Sequence, residues 1–82
     1  MASDQAIDQV ISRARARQQL RAAPAIARAL RQQAGLTQAD IAEALGVSRI
    51  TVCRWELGQR VPRGELAVRY LALLRRACET VP

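Results

Sequence analysis

The stretch that most restricts the fold of this chain is the run TQADIAEALGVSRITVCRWELG, from Thr37 to Gly58. Its apolar residues and turn signals predict two short helices, the first over Gln38–Leu45 and the second over Arg49–Leu57. Gly46 follows the first helix at once, and glycine ends a helix with a positive φ at no steric cost. The run therefore predicts two short helices joined by a tight turn.

Each of these helices is preceded by a residue that caps helix N-termini. Thr37 stands before the first helix, and Asp40, three residues later, completes a capping box with it. Ser48 has the corresponding position before the second helix. The residues expected to face inward from this unit are Ile41, Ala42, Leu45, Val47, Val52 and Trp55.

The opposite side of the second helix is expected to face solvent. On a helical wheel this side carries Arg49, Ile50, Cys53, Arg54 and Leu57. A short exposed surface with two arginines and few acids predicts contact with a negatively charged partner.

The composition predicts the fold class. With 82 residues, the chain is one small domain near the lower size limit for a self-sufficient core. Good helix formers predominate, and no alternating run of β-branched residues predicts a strand. We therefore expect an all-α fold, a compact bundle of about five short helices.

The charge of the chain limits its partners. The net charge of +6 comes from 13 basic residues, all of them arginine, against seven acids. This balance indicates nucleic acid or an anionic membrane. No apolar run reaches membrane-spanning length and no signal-peptide core is visible, so we expect a cytoplasmic protein without a membrane partner.

The chain contains no histidine, and this limits the chemistry it can perform. His-dependent catalytic pairs are excluded, and few zinc ligands remain. We expect no enzymatic activity, no metal and no cofactor. The two cysteines, Cys53 and Cys78, are enough for one disulfide, but a disulfide is not expected in a cytosolic chain.

A further amphipathic helix is expected over residues 4–20. Its apolar stripe consists of Ile7, Val10, Ile11 and Ala14. Its basic edge, at four-residue spacing, consists of Arg13, Arg17 and Arg21. This edge is either the solvated face of a packing helix or a basic arm that touches a nucleic-acid backbone.

Two more helices are expected on either side of the central run. One begins at Pro24, which suits a first helical turn, and runs to about Ala34 before Gly35. Its inward residues are expected to be Ile26, Ala27, Leu30 and Ala34. The other runs from Arg63 or Gly64 to about Cys78.

The last helix carries more apolar residues than one core needs. They are Leu66, Val68, Tyr70, Leu71, Leu73, Leu74 and Ala77. The extra apolar residues either form a homodimer surface, shared in part with the N-terminal helix, or are covered by other residues of the same chain.

The central run resembles the helix-turn-helix of phage repressors, Cro proteins and related regulators of the xenobiotic-response-element type. The residues that carry the resemblance are Gln38, Ala42, Gly46, Val52, Trp55, Glu56, Leu57, Gly58, Arg60 and Pro62. The similarity covers roughly residues 26–74. It implies a repressor-like DNA-binding domain over residues 24–82, with residues 1–23 as an extra N-terminal helix.

This resemblance implies roles for individual residues. If the second helix enters the major groove, the base-reading candidates are Ser48, Arg49, Ile50, Thr51, Cys53 and Arg54. The phosphate-binding candidates are Gln38, Arg60, Arg63 and Arg28. By resemblance, Arg31 and Glu56 form a partly buried ion pair with a structural role. Two alternatives remain open: that the arginines of the second helix contact phosphate only, and that Cys53 is simply a small helix residue.

The leading functional hypothesis is a homodimeric repressor, of phage or mobile-element type, that binds an inverted-repeat operator in double-stranded DNA at the nucleoid. A second hypothesis is an antitoxin that also binds a toxin protein through its N-terminal or last helix. A third is a protein-interaction module that no longer binds DNA, against which the exposed arginines argue.

Overall fold

The computed structural model describes residues 3–79, and all regular structure in this span is helical. The five helices are α1 (Asp4–Ala22), α2 (Pro24–Gln33), α3 (Gln38–Leu45), α4 (Arg49–Glu56) and α5 (Glu65–Glu79). The all-α fold with about five helices is thereby confirmed. No helix within residues 3–79 has the length and apolar content needed to cross a bilayer.

The two central helices begin where the sequence predicts, and α3 also ends at the predicted residue. The Thr37 amide donates to Asp40 Oδ2 at 2.8 Å, and the Asp40 amide donates to Thr37 Oγ1 at 3.0 Å, which completes the capping box. Gly46 ends α3 with φ 70°, the left-handed conformation that favours glycine. Ser48 caps α4, which ends one residue earlier than expected, with Leu57 as its C-cap.

The core lies where α2, α3 and α4 meet α5. Its fully buried large side chains are Tyr70, Ile41, Leu74 and Val52. The rings of Trp55 and Tyr70 are tilted by 37° with their centroids 5.0 Å apart, so the two aromatic residues of the chain join α4 to α5. Burial raises the pKa of Tyr70 to about 12, and the nearby Glu56 charge adds to this shift.

Helix α1 packs along α5. Ala16 and Leu20 are its buried residues, and polar contacts lie beside them. Arg13 Nε lies 3.5 Å from Glu65 Oε2, and Arg75 Nη2 donates to Gln19 Oε1 at 3.0 Å. Part of the surplus apolar surface of α5 is therefore covered within one chain.

The predicted packing face of α1 is wrong. Ile7, Val10 and Ile11 are 47%, 63% and 43% exposed, and Ala14 is exposed as well. Ala16 follows Ala14 by two residues, or about 200° around the helix, so the buried face is nearly opposite the predicted stripe. The small Ala16 side chain lets α1 approach α5 closely, and the larger apolar residues are left at the surface.

Ile26 is also not where the sequence predicted it. It is 59% exposed, whereas Ala27 and Arg31 of the same helix are buried. Arg31 bonds to Glu56 of α4, and this contact fixes the rotation of α2 about its axis. Ala27 and Arg31, four residues apart, share the inward face, and Ile26 is turned away from it by about 100°.

Candidate nucleic-acid interface

The exposed face of α4 carries cationic and apolar side chains together. Arg49 and Arg54 are exposed, and Ile50 is 54% exposed. Thr51 and Cys53 are half-buried on the same helix. Val52 and Trp55 are buried against the core and hold this face outward. The helix thus presents two guanidinium groups to solvent, with an isoleucine beside them.

The first turn of α4 carries two hydroxyl groups that bond to each other. Ser48 Oγ accepts from the Thr51 amide at 3.2 Å and lies 2.8 Å from Thr51 Oγ1. Ser48 is exposed, so this hydroxyl pair caps the helix at the surface. Both residues keep hydrogen-bonding capacity for a ligand, because a hydroxyl is one donor and two acceptors.

A buried ion pair lies under this surface. Arg31 Nε donates to Glu56 Oε2 at 2.6 Å, and Arg31 Nη2 donates to Glu56 Oε1 at 3.0 Å. Arg31 Nη1 also donates to the Leu36 carbonyl at 2.8 Å. These bonds tie α2 to the end of α4 and to the loop that leads into α3. The guanidinium of Arg31 is therefore engaged within the protein.

The pKa of the Glu56 carboxyl reflects opposing effects. Burial raises it, but the hydrogen bonds from Arg31 and Gln38 and the charges of Arg31 and Arg28 outweigh the burial and hold the pKa below its usual value. The pKa of Arg31 is raised, first by its hydrogen bond to Glu56. Both shifts favour the charged pair at neutral pH.

Gln38 connects this ion pair to the exposed face of α4. Its Nε2 donates to Glu56 Oε1 at 3.0 Å, and its Oε1 accepts from Arg49 Nη1 at 3.3 Å. The sequence did not predict this link. No local signal predicts it, because Gln38 is 11 positions from Arg49 and 18 positions from Glu56.

A shallow depression brings several predicted residues together at the start of α3. It is lined by Arg28, Arg31, Leu36, Thr37, Gln38, Ala39 and Arg49. Gln38 and Ala39 belong to the first turn of α3, where amides have no carbonyl partner within the helix and the helix dipole favours an anion. Arg28 and Arg49 add positive charge at the rim. The depression is therefore suited to hold a phosphate group.

The other two phosphate candidates do not line this depression. Arg60 and Arg63 are exposed on the connector between α4 and α5. The connector folds back on α4, because the amides of Gln59 and Arg60 donate to the Arg54 carbonyl at 3.0 and 3.3 Å. The backbone of Arg60 therefore lies beside the C-terminal end of α4, whereas Arg49 lies at the N-terminal end of that helix.

Within residues 3–79 no group of three or more potential metal ligands comes together. Cys53 and Cys78 are both free thiols.

Comparison with known proteins identifies the family. No curated protein and no solved structure gives a significant match to the chain. A family model of the helix-turn-helix type matches residues 28–79, which include α3, α4 and α5. The family consists of DNA-binding transcription regulators. The match covers more than half of the chain, and the chain belongs to the Cro/C1-type helix-turn-helix family.

Proposed function

We propose that the protein is a homodimeric repressor that binds an inverted-repeat operator by placing α4 in the major groove of DNA. The observation that carries the proposal is the exposed arginine face of α4 beside a cationic depression at the start of α3. A groove-entering helix needs both features, because base edges specify the sequence while phosphate contacts fix the orientation.

Base reading falls to the exposed face of α4. Arg49 and Arg54 each offer a planar fork to guanine O6 and N7, which contributes about 1–3 kcal/mol of discrimination per pair. Ile50 offers apolar contact to a thymine methyl. Ser48 and Thr51 at the first turn donate to a base or a phosphate, and Cys53 makes a short apolar contact at most.

Phosphate is bound at both ends of the unit formed by α3 and α4. At the start of α3, the first-turn amides, Gln38 and Arg28 clamp one phosphate. At the connector, Arg60 and Arg63 clamp another. Because Gln38 bonds to both Glu56 and Arg49, a phosphate at this position also steadies the Arg49 guanidinium.

The assembly follows from the geometry of DNA. Two copies related by a two-fold axis present two α4 helices about 34 Å apart, one turn of DNA, and so select an inverted repeat. Occupation of such a site near a promoter blocks transcription. In this proposal the DNA-binding unit spans residues 24–82, residues 1–23 are an appended segment that contains α1, and the protein acts at the nucleoid in the cytoplasm.

The proposal is tested by selecting DNA from a random duplex pool with the full chain and sequencing the bound fraction. The expected result is enrichment of an inverted repeat with half-sites one turn apart. The variant Arg49→Ala plus Arg54→Ala should lose at least about tenfold in affinity for the selected site while keeping its helical circular dichroism. The control Arg69→Ala plus Arg76→Ala removes the same charge from α5, together with the exposed hydrogen bond from Arg69 Nη2 to the Ala44 carbonyl at 3.2 Å, and should retain the enrichment and the helical circular dichroism.

Two results would contradict the proposal. Binding of all duplexes alike by the wild-type chain would mean that α4 does not read bases. Equal loss in the α4 variant and in the α5 control would mean that binding depends on net charge alone. If Arg49→Ala alone lowers the affinity for all DNA sequences equally, Arg49 contacts a phosphate, and Arg54 is the arginine that contacts a base.

A further inference from the structure

The structure leaves an apolar stripe of α1 bare. The largest exposed apolar residues within residues 3–79 number six, and three of them, Ile7, Val10 and Ile11, lie together on this helix. With Ala14 they have the spacing i, i+3, i+4 and i+7, which is the spacing of a seam between two helices. We call these four residues the α1 seam. A clustered exposed apolar surface of this kind marks an interaction site.

The α1 seam continues into a groove between α1 and α5. Ile11 belongs to both the seam and the groove wall. The floor of the groove is apolar and includes Ala16, Val68 and Leu71. Its rim is charged, with Asp8 and Arg15 on α1 and Arg75 on α5. A helix that packs on the α1 seam therefore also meets an apolar floor and charges of both signs.

The charges on the rim are complementary to a second copy of the same surface. Asp8 and Arg15 are seven residues apart, about 10.5 Å along one side of α1. If a second α1 runs antiparallel across a two-fold axis near Ile11, Asp8 of each copy comes within one helical turn of Arg15 of the other. A parallel arrangement would place Asp8 against Asp8 and Arg15 against Arg15. The charge pattern therefore selects an antiparallel pair.

We propose that the α1 seam and the adjoining α1–α5 groove form the homodimer interface of this protein, with the two α1 helices antiparallel. This inference deepens the proposed function, since it rests on the dimer proposed there and names its surface. The α1 helix packs on α5 and α2, whereas the proposed DNA-facing surface is centred on α3 and α4, with Arg28 of α2 at its rim. Pairing through α1 therefore leaves α4 free to enter DNA.

Charge exchange is the sharpest test of self-pairing. Sedimentation equilibrium of the full chain, without DNA, should show a monomer–dimer equilibrium. Asp8→Arg alone and Arg15→Asp alone should each raise the dimer Kd by about three- to thirty-fold, because each breaks two symmetry-related pairs. An equimolar mixture of the two variants should associate about as tightly as the wild type, since opposite charges then face each other at both positions.

The apolar part of the interface is tested by polar substitution. Ile7→Gln plus Ile11→Gln should raise the dimer Kd at least about tenfold, and the fold should survive because both residues are at the surface. Ile26→Gln, the same change at an exposed isoleucine of α2, is the matched control and should change Kd less than about twofold.

Defined results would overturn the inference. These are a wild-type chain that stays monomeric at about 100 μM, a dimer unaffected by the α1 variants, or a mixture of charge variants that fails to associate. A monomeric wild type that binds anionic vesicles, or only a different protein, would give the seam another occupant. DNA selection separates the two proposals: Arg49→Ala plus Arg54→Ala should abolish sequence selection and leave the dimer Kd unchanged.

Discussion

At the scale of single residues, Glu56 is the carboxylate on which both the fold and the candidate site depend. It accepts two hydrogen bonds from Arg31 and one from Gln38, and it is 6% exposed. A buried pair of this kind is a weak source of net stability, but the loss of one partner leaves an uncompensated charge. The same carboxylate also sets the position of Gln38 at the cationic depression.

We predict that Glu56→Ala lowers the free energy of unfolding by about 3–5 kcal/mol, because Arg31 then remains buried without its counter-charge. The double variant Arg31→Leu plus Glu56→Leu should lose less than this single variant. The measurement is urea unfolding followed by circular dichroism. Arg13→Ala, which breaks the exposed pair with Glu65, is the control and should cost under about 1 kcal/mol. Similar losses in Glu56→Ala and Arg13→Ala would contradict the prediction.

The Glu56 carboxyl also predicts how stability depends on pH. Its pKa is lower in the folded than in the unfolded chain, so its contribution is complete above the unfolded value near 4.3 and is lost as pH falls through the folded pKa. Wild-type stability should therefore drop as pH falls below this unfolded value. Glu56→Gln should flatten this drop.

The stabilising contribution of Asp40 is also lost as pH falls, so its effect on stability must be distinguished from that of Glu56. Its pKa is lowered, first by the hydrogen bond from the Thr37 amide and then by the Thr37 hydroxyl. Asp40→Asn should therefore remove a different part of the acid-induced loss. If Glu56→Gln has the same pH profile as the wild type while Asp40→Asn is flat, the Glu56 prediction is wrong.

At the scale of the helices, the packing of α1 is the feature to test. Leu20 is 7% exposed and Val10 is 63% exposed on the same helix. Leu20→Ala should lower the free energy of unfolding by about 2–3 kcal/mol, because it removes buried methyl groups and leaves a cavity. Val10→Ala should stay within about 0.5 kcal/mol. Urea unfolding at low protein concentration, where chains do not associate, measures both losses. If Val10→Ala lowers the free energy of unfolding more than Leu20→Ala does, the buried face of α1 is the apolar stripe predicted from the sequence.

The sequence predicted α3 and α4 almost to the residue but not the orientation of α1. Caps and turns are local: Thr37, Asp40, Gly46 and Ser48 act on neighbours within four residues, so their effect is readable from the chain. The face that a helix buries depends on its partner. On α1 the larger residues formed the more apolar stripe, yet close packing on α5 favours the smaller Ala16, and no local rule reveals that choice.

The same distinction holds at the candidate site. That α4 would carry a bare arginine face followed from the spacing of Val52 and Trp55. The link from Glu56 through Gln38 to Arg49 did not, because it joins residues 11 and 18 positions apart through side chains whose rotamers depend on the assembled fold. The composition indicated a polyanionic partner, but it did not indicate which surface of the protein would contact that partner.

At the scale of the whole molecule, the question is whether net charge or local contact governs binding to DNA. The described part of the chain measures 43 × 31 × 23 Å, several times the Debye length of about 8 Å at physiological salt. Charges far from the contact surface are therefore screened. Only arginines that lie against phosphate displace condensed counterions, and each such contact steepens the salt dependence of affinity.

We predict that Arg60→Ala lowers the slope of log K against log salt concentration by about 1, and weakens binding to all sequences alike. Arg76→Ala removes the same charge from the end of α5, the helix that packs on α1, and should leave the slope unchanged. The measurement is fluorescence anisotropy of a labelled duplex at several salt concentrations. If both variants lower the slope equally, affinity follows the net charge of +6 and not the contacts at the α4 connector. If only Arg60→Ala lowers it, the connector touches the DNA backbone and fixes how α4 sits in the groove.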